Sequence, residues 1–208
     1  MIKALVLGAT GLVGSELLRL LLEDPYFDQV EVWSRRSIDI RHPKLMVKVL
    51  DFNQIPETDA QIIYSCLGTT KAKTPNVDEY RRLEVEIPIE IARKATRLQQ
   101  FHYISSIGTS SKAKGSYLKN KWDAEEGLRK LTIESLHIYR PSLIFGQRNE
   151  KRTLEGISNI LFKWLDPLLA NSNYRRIAGS TIAAAMLKLS KSSKKGAFIH
   201  ESKEIARI

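Results

Sequence analysis

A chain of 208 residues, 43% hydrophobic and 27% charged, has the composition of an ordinary globular protein with core enough for one domain. No run approaches the roughly 18 apolar residues of a membrane span, the first residues lack a leader-like cleavage pattern, and one cysteine, Cys66, excludes an internal disulfide and fits a reducing compartment. The cytoplasm is the expected location. The net charge of +10 is spread over local clusters with no nucleic-acid motif, so a solvated basic surface is expected and no specific nucleic-acid partner.

Ile2 to Leu7 is a short apolar run of buried-strand character that stops at Gly8. Gly8, Gly11 and Gly14 follow at G-x-x-G-x-x-G spacing, and Leu12, Leu17, Leu18, Leu21 and Leu22 then recur with helical period. A glycine turn between a strand and a helix lets the backbone approach a pyrophosphate, which the helix N-terminus attracts. A second strand, Val30 to Trp33, ends at Ser34-Arg35-Arg36, about 20 residues past the glycines. An acid there would hold the ribose hydroxyls of NAD; a hydroxyl and two guanidiniums suit the extra phosphate of NADP.

Leu45 to Leu50 predicts a third strand, and Gln61 to Leu67 a fourth, ending at Gly68-Thr69-Thr70. Cys66 in that strand reads as a small side chain beside a cofactor, since none of the four histidines pairs with it as a base. Val77 to Gln99 is helical in pattern, with Pro88 predicting a kink or break. Phe101 to Ser105 is a fifth strand delivering Ser105-Ser106, and Tyr117 to Leu131 a helix with Tyr117 and Lys121 on one face. Ser135 to Tyr139 is a sixth strand. Helices over 154–169 and 181–190 and a short strand, Ala197 to His200, complete the pattern.

Strands alternating with helices predict an α/β fold: a doubly wound parallel sheet with helices on both faces. The whole chain, 1–208, reads as one domain, with 147–208 a small extension walling a pocket on the substrate side. Nothing in it has metal-ligand spacing. A tyrosine hydroxyl, which titrates near 10 unperturbed, needs a nearby cation to work as acid or base at neutral pH, and Lys121 supplies one. Ser106 can hold a substrate oxygen. Ser105 is its adjacent competitor for that role, and Ser106 is preferred.

The segments GATGLVG (8–14), SRR (34–36), CLGTT (66–70), ISSIG (104–108), YLKNK (117–121) and RPSLIFG (140–146) together resemble the atypical short-chain dehydrogenases/reductases, in particular the group around the human Tat-interacting protein. The resemblance covers nearly the whole chain and is loose after residue 155. It implies a Rossmann fold and an NADPH-dependent oxidoreductase acting on a small carbonyl substrate, with Tyr117 as proton donor, Lys121 as its partner and ribose ligand, and Ser106 on the substrate oxygen. It further implies cofactor contacts from Gly8, Thr10, Gly11, Leu12, Val13, Gly14, Ser34, Arg35, Arg36, Cys66, Leu67, Gly68, Thr69, Tyr117, Lys121, Pro141, Ile144 and Arg152. The family's usual asparagine before the serine strand is unmatched; Glu84 and Glu86 occupy its neighbourhood. The alternative reading is an NADPH-binding sensor or regulatory protein that works through a protein partner.

Overall fold

The computed structural model describes residues 1–68, 74–146 and 176–208. The helix expected over 154–169 and the expected cofactor contacts Thr69 and Arg152 lie outside the described residues. The first apolar run is β1 (Lys3–Leu7), followed by α1 (Leu12–Glu23), β2 (Gln29–Ser34), β3 (Leu45–Val49) and β4 (Ile62–Ser65). Then come α2 (Val77–Arg81), a π-helical turn (Arg82–Glu86), α3 (Ile87–Lys94), β5 (Gln100–Ile104), α4 (Ser116–Arg129) and β6 (Ser135–Arg140). β7 (Ile144–Phe145) pairs in parallel with β8 (Ile177–Ala178), and α5 (Gly179–Ser190), β9 (Gly196–Glu201) and α6 (Ser202–Ile205) follow.

Among the described residues, seven strands form one parallel sheet in the order β3-β2-β1-β4-β5-β6-β9. Side chains alternate across a strand, so each strand feeds two cores. Leu5, Leu7, Ile63, Phe101 and Ile138 meet Ile91, Ala124 and Leu128 from α3 and α4. Ala4, Val6, Val32 and Ile62 face the other way, onto Leu17 and Leu21 of α1 and Ile182 and Met186 of α5. This is the doubly wound arrangement that alternation predicts. Among the described residues no helix is long and apolar enough to cross a membrane.

The helix expected over Val77 to Gln99 is instead three pieces, and it stops at Lys94. Pro88 explains the interruption. It lacks the N–H that would bond the Glu84 carbonyl one turn back, and Tyr103 Oη donates to that carbonyl instead, at 3.2 Å. The Ile87 N–H reaches the Arg82 carbonyl, five residues back, which is the π-helical spacing. At Ala95 the backbone is extended, and the Thr96 N–H of the turn that follows donates to the Thr58 carbonyl at 2.8 Å.

On the α1/α5 side, Tyr64, His102, His137 and Phe198 are successive register partners on β4, β5, β6 and β9. Their rings stack at centroid distances of 4.8, 4.8 and 5.1 Å. His137 Nδ1 is hydrogen-bonded to His200 Nε2 at 3.0 Å, and His200 Nδ1 to Glu204 Oε1 at 3.0 Å. Burial, aided by the neighbouring imidazoles, holds His102 well below the ordinary histidine range and His137 down at about 4. Both are therefore neutral in the fold and take up protons more readily when unfolded. Stability is expected to be full above about pH 6.5 and to fall as pH drops towards about 4, by up to ~1.4 kcal/mol per pH unit for each imidazole. Urea unfolding near neutrality and about two pH units lower measures this; equal stabilities would contradict it.

Candidate cofactor-binding and active site

Strand order reverses direction between β1 and β4, and the carboxyl edge at such a switch point is where ligands bind in open α/β sheets. The glycine turn sits there. Gly8 has φ of 75°, and a Cβ on it would lie 2.5 Å from the Cys66 carbonyl oxygen. A Cβ on Gly14 would lie 2.2 Å from the Gly8 carbonyl, so only glycine allows α1 to pack this closely on the turn. α1 begins after Gly11 with no side-chain cap and no acid in its first turn. Its first N–H groups are thus left for an anion, and the turn fits a dinucleotide pyrophosphate. Thr10 is exposed at the tip of the turn and Leu12 half-buried beside it; Val13 is buried in the core and can offer only backbone.

Arg35 and Arg36 follow β2, the strand beside β1, and both are exposed. Arg35 Nη1 lies 4.0 Å from Glu79 Oε1 on α2. Ser34 Oγ donates to the Arg36 carbonyl at 2.5 Å, so its proton shapes the turn that presents the two guanidiniums. Cys66 follows β4, its N–H bonded to the Leu7 carbonyl at 3.0 Å. Burial pushes the Cys66 thiol up to about 12 against a smaller pull from Lys121, so it is protonated at neutral pH and has the character of a packing group. Leu67 is half-buried against the α3/α4 core and Gly68 is exposed, with nothing within 4 Å of a Cβ built on it.

The loop after β5 is tied to the loop after β6, because the Ile107 N–H donates to the Pro141 carbonyl at 2.9 Å. Pro141 is buried there, and Ile144 is half-buried in β7. Ser105 and Ser106 point into different surroundings. Ser105 is buried, and its Oγ donates to Glu125 of α4. Ser106 is half-buried, with Oγ donating to the Ile107 carbonyl at 3.3 Å. Glu125, fully buried, also receives Arg140 Nε at 3.0 Å and Nη2 at 2.5 Å. This ion pair joins α4 to the end of β6.

Lys121 and Tyr117 differ sharply in exposure. Tyr117, in the first turn of α4, is 41% exposed, whereas Lys121 one turn later is 3% exposed and so is no part of a solvated basic surface. Lys121 Nζ donates to the Ile104 carbonyl at 2.9 Å, pairs with Glu84 Oε2 at 2.7 Å and lies 5.0 Å from the centroid of the Tyr103 ring. Burial works against its charge, but the Glu84 carboxylate overcomes that and holds Lys121 well above the ordinary lysine range. It is a cation at neutral pH, near enough to Tyr80 and Cys66 to be felt by both. The structure thus brings Lys121 to the β5 end and within electrostatic reach of Cys66, whose carbonyl abuts the glycine turn, with Tyr117 one helical turn before it. The Glu84–Lys121 and Glu125–Arg140 pairs were not legible from spacing. An open groove of about 660 Å³ between residues 92–99 and 131–134 lies at the opposite, amino edge of the sheet.

The glycine turn at the switch point of this sheet gives the chain the form of a dinucleotide-binding Rossmann fold. Residues 3–81 match the family Semialdehyde dehydrogenase, NAD binding domain. The fold aligns with a TM-score of 0.69 to UDP-glucuronic acid 4-epimerase from Bacillus cereus in complex with NAD, 14% identical over 98% of this chain and 78% of that one. It aligns at 0.70 to a short-chain dehydrogenase/reductase superfamily protein from Agrobacterium tumefaciens with bound NAD, 15% identical over 99% and 80%. In sequence, the chain is 30% identical over 171 residues to "Protein FMP52, mitochondrial" of Debaryomyces hansenii, spanning 78% of this chain and 74% of that protein. The chain belongs to the FMP52 family. Its relatives are named as mitochondrial proteins, which overturns the cytoplasmic expectation. Cysteine usage reports redox conditions and not which reducing compartment holds the protein.

Proposed function

We propose that this chain is an NADPH-dependent reductase of a small carbonyl compound, with Tyr117 as proton donor. The observation that carries the reading is a half-exposed phenol one helical turn from a buried, charged ammonium, at the same edge of the sheet as a turn shaped for a dinucleotide. The nicotinamide cofactor, when bound, supplies the hydride that the protein's own side chains cannot. The glycine turn and the α1 N-terminus hold its pyrophosphate, and Arg35 and Arg36 hold the 2′-phosphate. Leu67, Gly68, Pro141 and Ile144 flank the rest of the cofactor. Ser106 orients the substrate oxygen by a hydrogen bond, and Tyr117 gives that oxygen a proton. Lys121 stabilises the tyrosinate left behind, which regains its proton from solvent.

Removing both guanidiniums tests the cofactor choice. A charge-assisted contact is worth roughly 1.5–3 kcal/mol, so NADPH should bind wild-type protein about tenfold or more tighter than NADH. Arg35→Ala/Arg36→Ala should lose that margin with NADH affinity unchanged. Calorimetric titration of both cofactors decides; an unaltered preference in the double variant refutes the assignment.

A further inference from the structure

Glu84 stands where spacing offered no partner for Lys121. It is 1% exposed, and a carboxylate so buried persists as an ion only when paired. Its position follows from the chain. Pro88 cannot bond the Glu84 carbonyl, Tyr103 does so instead, and the resulting π-helical turn delivers the Glu84 side chain to Lys121 Nζ at 2.7 Å. With the Ile104 carbonyl at 2.9 Å, the ammonium is gripped from the π turn and from the end of β5 together. π turns inside helices recur at functional sites because the extra residue re-aims a side chain.

Resting on the reductase reading, we propose that Glu84 is the positioning residue of the Tyr117–Lys121 pair: its carboxylate fixes the Lys121 ammonium in place and keeps it charged beside Tyr117. Burial alone favours the neutral amine of Lys121, and a carboxylate 2.7 Å from Nζ outweighs it. The other titratable groups around the pair do not substitute for Glu84. Tyr80 from α2, Tyr103 from β5 and Cys66 after β4 are all pushed up by burial and stay neutral near pH 7. Glu125, on the same helix, is already neutralised by Arg140.

The test is a titration of the Lys121 ammonium by nitrogen NMR of lysine-labelled protein without cofactor or substrate, the signal assigned by its loss in Lys121→Met. In Glu84→Gln, which keeps shape but not charge, the Lys121 midpoint should fall by roughly one pH unit or more. The alkaline limb of the pH profile for carbonyl reduction should move with it. Should Glu84→Gln not fold, Glu84→Asp carries the test, because its shorter carboxylate draws back from Lys121 and the midpoint should fall partway. A folded variant of either kind with the wild-type midpoint, or a higher one, overturns the proposal. The titration needs no turnover, so failure to reduce any carbonyl compound would remove the reductase reading while leaving the midpoint shift to decide the role of Glu84.

Discussion

Tyr117→Phe is expected to lower carbonyl reduction by about 10²–10⁴-fold, the usual span for loss of a positioned acid, with fold and cofactor affinity nearly unchanged. The phenol is 41% exposed, so the hydroxyl can be removed without opening a cavity or stranding a buried partner. The ring stays, and with it the start of α4. The assay is a screen of small aldehydes, ketones and quinones with NADPH, followed by kcat/KM for both proteins on whichever compound is reduced. Equal activity in the variant would exclude Tyr117 as donor. Tight NADPH binding without turnover of any carbonyl compound would favour a cofactor-sensing protein that acts on a partner.

Arg140→Met should be the most destabilising of the single substitutions considered, although Arg140 is no part of the proposed chemistry. It leaves the fully buried Glu125 carboxylate without its bidentate partner. Breaking one side of a buried ion pair costs about 3–5 kcal/mol, and in a protein of this size that lowers Tm by roughly 10 °C. Glu125 also receives the Ser105 hydroxyl, so the loss loosens the β5 end from α4, the two elements that carry Ser106 and Tyr117. The double variant Arg140→Met/Glu125→Met removes both charges and should recover most of the loss, because no ion is then left unpaired. Thermal unfolding of the three proteins separates the possibilities. A double variant as unstable as Arg140→Met would mean that side-chain packing, and not the stranded charge, accounts for the change.

Local chemistry made the first half of the site readable. The apolar run into Gly8, the three-residue glycine spacing and the leucines at helical period are short-range signals, and each reflects a steric or hydrogen-bonding demand met within one strand-turn-helix. Strand alternation was equally local, and it carried the doubly wound sheet because two buried faces follow from a period of two. Pro88 announced a break in its helix for the same reason: the missing N–H belongs to the residue itself. Tyr117 and Lys121 could be put on one face because a helical turn relates them.

Tertiary structure alone decided where the charges go. Nothing within a few residues of Lys121 marks it as buried, since its partner Glu84 lies on another helix and reaches it through the register that Pro88 and Tyr103 impose. Arg140 and Glu125, and Lys48 and Glu31 at 2.7 Å, are likewise joined across elements, and a charged residue in a sequence looks the same whether solvated or paired. The row of Tyr64, His102, His137 and Phe198 is invisible along the chain because strand register, and not spacing, puts the rings in contact. The sequence by itself determined the first six strands, the doubly wound sheet and the glycine turn, because these rest on hydrogen bonds and apolar periodicity that each segment satisfies locally. Only the packed structure decided that Lys121 is a buried, paired cation and Ser105 a strut to Glu125, because a long-range ion pair leaves no periodic trace in either of the segments it joins.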